Sequence, residues 1–212
     1  MSASRFRVVT VAREYGSGGA AIGARLAERL GFQLLDHALL ERIAAEARID
    51  PDLAEKLDEH VDPWARRIGR ALWYGGFEAV AVVDENDVVD SDRVAGLSGR
   101  IVEEAASAGG CVIVGRGGQC LLRGRPDAFH VFVYAPREER VRRLRARLGP
   151  GADLELALEE IDRERGAYTR RHFGEDRWNP HLYHLMVNAA LGEEAAVSAI
   201  LVALETGAPG PA

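Results

Sequence analysis

At 212 residues the chain has room for one α/β domain with a sizeable core, and it is too short for two ordinary domains joined by a linker. Charged residues at 28% and apolar residues at 47% exclude a disordered polymer, and a net charge of -6 excludes a surface built to coat nucleic acid. Small anionic ligands stay open. Lys56 is the only lysine, so every other Lys/Arg cation is an arginine. Cys111 and Cys120 lack metal-ligand spacing and read as free thiols of a cytoplasmic protein. The start MSASRFRVVT has no long apolar run, and no stretch approaches the roughly 20 apolar residues that cross a bilayer, so no membrane role is expected.

In chain order, short apolar or β-branched runs alternate with long helical patterns, which is the rhythm of a parallel sheet covered by helices on both faces. The expected strands are Phe6 to Ala12, Phe32 to Leu35, Cys111 to Val114, Ala128 to Tyr134 and Leu182 to Asn188. Helical patterns start near Gly19, Asp36, Ser91, Arg137, Ala152 and Gly192, with Pro136 and Asp153 as start signals. Two stretches break the rhythm. Residues 51–90 carry Trp64, Trp73, Tyr74 and Phe77 and read as an inserted helical subdomain or a self-association surface, which allows a homodimer. Residues 149–180 run from a polar, arginine-bearing helix into HFGEDRWNP and read as a lid, and residues 206–212 read as a disordered tail.

The most informative segment is RVVTVAREYGSGGAAIGARLAERLGFQLLD, where an apolar strand runs into Gly16, Ser17, Gly18 and Gly19 and then into an amphipathic helix. Glycines in that setting let backbone N–H groups converge on phosphate oxygens, and the helix N-terminus adds partial positive charge at the same place. A tight turn without a ligand has the same local pattern, so the neighbouring pieces have to decide. LLDHALLERI ends a second strand at Asp36, which could hold magnesium through water or accept a hydroxyl proton, with Arg42 six residues on. CVIVGRGGQCLL delivers Arg116 to the same sheet edge. IDRERGAYTRR places Asp162 and Arg165 about one helical turn apart, followed by Arg170 and Arg171. Taken singly, these would be a helix cap, an exposed turn and a solvated helix face.

With AREYGSGG, the LLD step, VIVGRGG, DAFHVFVYAPREERVRRL and the DRER segment in this order, the chain resembles the cytidylate-kinase-like branch of the P-loop nucleoside-monophosphate kinases over most of residues 6–205. The resemblance implies a three-layer P-loop NTPase fold: a five-stranded parallel sheet with helices on both faces, an acceptor-binding helical insert and a lid. It implies that Gly16, Ser17, Gly18 and Gly19 hold the donor phosphates, with Arg13 read beside them as a substitute cation, and that Asp36, Arg42, Arg116 and Asp162 line the acceptor. Catalysis would fall to Asp36, Arg13 and Arg165, the lid to Arg165, Arg170 and Arg171, and magnesium to Ser17 and Asp36. The implied ligands are ATP with Mg²⁺ and a CMP-like or other small phosphorylated or hydroxylated acceptor.

The pattern departs from the resembled kinases in three places. Gly19 stands where they carry the loop lysine, Ala21 where they carry a threonine, and Gly117 where an acidic residue would follow Arg116. Arg13, aligned with the first glycine of the motif, is the cation best placed to substitute. Three readings follow: a phosphotransferase, a non-catalytic nucleotide-binding regulator of the same fold, and an interaction module working through residues 64–77.

Overall fold

The structure, a computed structural model, describes residues 5–36, 99–149 and 154–207. Arg42 and the 51–90 segment lie outside the described residues, as do the helix starts expected near Asp36, Ser91 and Ala152.

Five strands form one parallel sheet: β1 (Val8–Arg13), β2 (Gln33–Leu35), β3 (Cys111–Val114), β4 (Ala128–Tyr134) and β5 (Leu185–Asn188). Their order across the sheet is β2-β3-β1-β4-β5. The strands expected from sequence are all present. The last is shorter than expected because Pro180–Leu182 form a 3-10 turn, capped by the Asn179 side chain, which accepts the His181 N–H. Then His184 pairs with β4 through both its main chain and its ring.

Alternation along the strands sorts side chains onto two faces, as the two-residue strand period requires. Val9 and Val11 of β1, Val112 and Val114 of β3, and Phe129, Val131 and Val133 of β4 face one cluster. Helix α1 (Gly19–Leu30) fills that side with Ile22 and Leu26, and the C-terminal helix fills it with Ala196, Val197, Ile200 and Leu204. Val8, Cys111, Ile113 and Ala128 take the other face, against Val102 and Ala106 of a helix described over 99–108, called α2. The sheet is thus covered on both sides, which explains strands that read as unbroken apolar runs.

The remaining helices are α3 (Gly118–Leu121), α4 (Arg137–Leu148), α5 (Leu154–Phe173) and α6 (Glu193–Thr206). Glu138 and Glu139 in the first turn of α4 and Arg145 and Arg147 in its last complement the helix dipole. α5 spans most of the expected lid, and it packs Leu154 and Leu158 against Leu144 of α4 and Tyr15 of the glycine loop. Among the described residues no helix is long and apolar enough to cross a membrane.

Candidate phosphate site at the end of strand β1

The loop from Glu14 to Gly18 leaves the C-terminal end of the central strand and enters α1. Gly16 and Gly18 have φ of +76° and +87°, and Ser17 between them does not share that sign. Such alternation turns successive amides toward a common point, a geometry that binds anions. Ser17 spends its N–H on the Glu14 carbonyl, whereas the N–H groups of Gly16, Gly18 and Gly19 donate to no group among the described residues. These are the amides an incoming phosphate would meet, at the positive end of a 12-residue helix.

Five side chains, Glu14 of the loop itself and four from other elements, brace the loop and the strand end that leads into it. Glu14 Oε2 accepts the Ala135 N–H at 2.9 Å, and Asp162 Oδ1 accepts the Tyr15 N–H at 2.9 Å. Arg140 of α4 donates to Asp162 Oδ2 at 2.5 Å and to the Tyr15 carbonyl at 3.2 Å, with its Nε 3.6 Å from Glu14. Arg165 donates to the Arg13 carbonyl at 3.1 Å, and Arg177 donates to the same oxygen at 2.5 Å. Both arginines are nearly sealed from solvent, at 5% and 4% exposure, so their charge acts in a medium that screens it poorly. Burial pushes the Glu14 carboxyl up, and the Ala135 N–H and the Arg140 guanidinium pull it back down.

Arg143 of α4 lies across the loop itself. It donates to the Ser17 carbonyl and, at 2.6 Å, to the Ala189 carbonyl after β5, while Glu139 takes its Nε at 2.8 Å. A Cβ placed on Gly18 would come within 2.8 Å of its Nη1.

The residues singled out from sequence divide by location. Arg13, Gly16 to Gly19, Asp162 and Arg165 come together at this loop. Asp162, grouped there with the acceptor, accepts the Tyr15 N–H of the glycine loop. Ser17, grouped with the metal, is fully buried and donates its hydroxyl to the Glu14 carbonyl at 2.9 Å. Asp36 directly follows β2, and the sheet order puts β3 between it and the loop strand. Arg116 sits past the end of β3, 7% exposed, in the left-handed region at φ +59° between Gly115 and Gly117. A non-glycine residue there is held by its surroundings at a cost of about 1–3 kcal/mol. The Phe173 ring, from the end of α5, seats on Gly117: a Cβ there would lie 2.2 Å from the ring. Arg170 and Arg171 are exposed on α5.

Arg140, Arg143, Arg177 and Glu14 were not singled out in the sequence. α4 and the α5–β5 connection bring the first three to the loop, a juxtaposition that exists only in three dimensions. The one local signal was an arginine set beside Trp178 in an otherwise polar stretch.

A strand–glycine loop–helix unit at the central strand of a 2-3-1-4-5 parallel sheet defines a P-loop kinase fold. The chain belongs to the cytidylate kinase-like family, whose model matches residues 8–190. Solved structures agree on the fold. An uncharacterized protein from Eubacterium ventriosum superposes with a TM-score of 0.68 at 16% identity, over 94% of this chain and 98% of that one. Shikimate kinase from Acinetobacter baumannii, in complex with shikimate, gives 0.51 at 16% identity over 93% and 92%. A gluconokinase from Sinorhizobium meliloti gives 0.52 at 16% identity over 93% and 90%. No curated protein matches the sequence.

Proposed function

We propose that this protein is a nucleotide-dependent phosphotransferase that moves the γ-phosphoryl group of ATP to a small phosphorylated or hydroxylated acceptor, a CMP-like nucleotide among them. The observation that carries the reading is the set of loop amides at Gly16, Gly18 and Gly19, which lack a protein partner among the described residues, beside a strand end held by the buried Arg165 and Arg177. Family membership and the kinase fold support it. Phosphoryl transfer passes through a loose transition state with charge spread over the equatorial oxygens, so positioning and cations supply most of the catalysis. Arg13, Arg165 and Arg177 are the cations at the loop that could take that charge, and Asp36 is the carboxylate on the acceptor side of the sheet edge that could take the hydroxyl proton.

Magnesium would arrive with the triphosphate, since this ion keeps several waters and takes only one or two protein carboxylates beside substrate phosphates. Among the described residues no cluster of three or more His, Cys, Asp or Glu side chains is arranged around a cation. Asp36, acting through water, fits that modest requirement, and Ser17 would have to release Glu14 first. When bound, the ion would neutralise phosphate charge.

The experiment is a coupled assay of ATP consumption with Mg²⁺ across nucleoside monophosphates, sugars and small alcohols, paired with calorimetric titration of ATP. Turnover with one acceptor supports the reading. Tight ATP binding with no turnover on any acceptor supports the second reading, a regulator that binds nucleotide without catalysis, which the absence of lysine at Gly19 and of threonine at Ala21 favours.

A further inference from the structure

Arg13 occupies the next position after Val9 and Val11 on the α1 side of β1, so its side chain leaves the strand beneath the first turn of α1. A Cβ placed on Gly19 would lie 2.5 Å from the Arg13 Cβ, 3.0 Å from its Cγ and 3.4 Å from the Val133 Cβ. The first distance is shorter than any real Cβ contact, and the atom it meets is the stem of Arg13, which cannot move without moving the strand. Gly19 has ordinary helical backbone angles, so nothing in its conformation requires glycine. Arg13 does. Positions 13 and 19 compete for one space, and only one of them can carry a long side chain.

The common phosphate-loop pattern, G-x-x-x-x-G-K-[ST], fills the same two positions in the opposite way, with glycine first and lysine seventh. We propose that this chain has exchanged them: Arg13 supplies the phosphate-binding cation from the end of the strand, and Gly19 is small to make room for it. The inference rests on the phosphotransferase reading above and assigns the site's missing cation. The strand end is well fixed for such a role, because Arg165 and Arg177 both donate to the Arg13 main-chain oxygen and so set where its side chain begins. A guanidinium suits the task, since its planar fork can bond two phosphate oxygens where an ammonium offers a point charge.

Wild type, Arg13→Met, Arg13→Gly, Gly19→Lys and the double variant Arg13→Gly with Gly19→Lys are titrated calorimetrically with the magnesium complex of a non-hydrolysable ATP analogue, and their melting temperatures are recorded. Arg13→Met, which keeps the stem, should melt near wild type and bind at least about 10-fold more weakly, the loss of one charge-assisted contact. Gly19→Lys alone should melt well below wild type, and the double variant should recover both melting temperature and affinity relative to the single variants. Wild-type affinity in Arg13→Met overturns the exchange while leaving the phosphotransferase reading intact. A folded double variant that binds no better than Arg13→Gly does the same. Absence of analogue binding by wild type at millimolar concentration overturns both. If the double variant does not fold, Arg13→Met still decides.

Discussion

Asp162 of α5 accepts the Tyr15 N–H at 2.9 Å, so a residue 147 positions downstream holds the wall of the glycine loop. Its other oxygen receives Arg140, and Arg177 stands 3.6 Å from the first. Asp162→Ala removes one carboxylate that serves an amide and two guanidiniums in a mostly buried setting, and such deletions cost about 2–4 kcal/mol. Asp162→Asn keeps an acceptor for Tyr15 and should cost less. Urea denaturation checks both, and a loss under about 0.5 kcal/mol for the alanine variant would count against the bracing role.

Acid should weaken the fold through His130. The ring is 5% exposed, bonded to Thr10 Oγ1 at 2.8 Å, and burial pushes it down to about 4, with His184 adding in the same direction and a hydrogen bond to the Leu122 backbone opposing. The folded state therefore keeps the ring neutral while the unfolded chain protonates near 6.5. Between pH 6.5 and 4 the unfolded state binds the extra proton, so stability falls as pH falls through that window and levels off below it, by up to about 3 kcal/mol. His184, also lowered by burial, adds to the slope, and Glu14, raised by burial, opposes it. Denaturation midpoints from pH 7.5 to 4 for wild type and His130→Gln should converge at the acid end; parallel curves would remove His130 as the cause.

Restoring the acidic residue at position 117 should harm this protein. Gly117→Asp would force a side chain at φ +62° into the Phe173 ring, 2.2 Å from the new Cβ. Strain and overlap together should cost about 2–4 kcal/mol. Pairing it with Phe173→Ala relieves the overlap and leaves the strain, so the double variant should lose less than the sum of the two single losses. Strict additivity in thermal or urea melts would show that the ring does not occupy that space.

Arg177 should matter more than the exposed arginines of α5. Arg177→Ala deletes a donor to the Arg13 carbonyl and a guanidinium packed 5.7 Å from the Phe132 ring centre and 5.3 Å from that of Trp178. Expected are a stability loss of about 2–3 kcal/mol and triphosphate binding weakened at least about 10-fold. Arg170→Ala should leave melting temperature near wild type. Equal effects of the two substitutions on binding would contradict the placement of Arg177.

Much of this architecture was readable from local pattern. The runs at Val8 to Ala12, Cys111 to Val114 and Ala128 to Val133 are buried on both faces, and short, mostly apolar stretches signal that setting. The glycines of the 16–19 segment declared a loop between strand and helix because glycine takes the left-handed backbone angles found at Gly16 and Gly18 without steric cost. The bracing network was not readable. Arg140, Arg143 and Arg177 sit among many other arginines, and burial separates them from Arg170 and Arg171, which have the same side chain. The roles of Ser17 and Asp162 depend on hydrogen bonds to main-chain groups, which no residue pattern encodes. The shortening of β5 followed from the Asn179 cap and the His184–His130 pairing, both decided by partners distant from the strand.

The most direct test is an amide-resolved NMR titration of ¹⁵N-labelled protein with ATP and Mg²⁺. If polyphosphate sits in the glycine loop, the N–H resonances of Gly16, Gly18 and Gly19 shift furthest and saturate together, and the Tyr15 N–H, already held by Asp162, moves little. Saturable binding that leaves those three glycine amides where they began would place the nucleotide elsewhere and contradict the account.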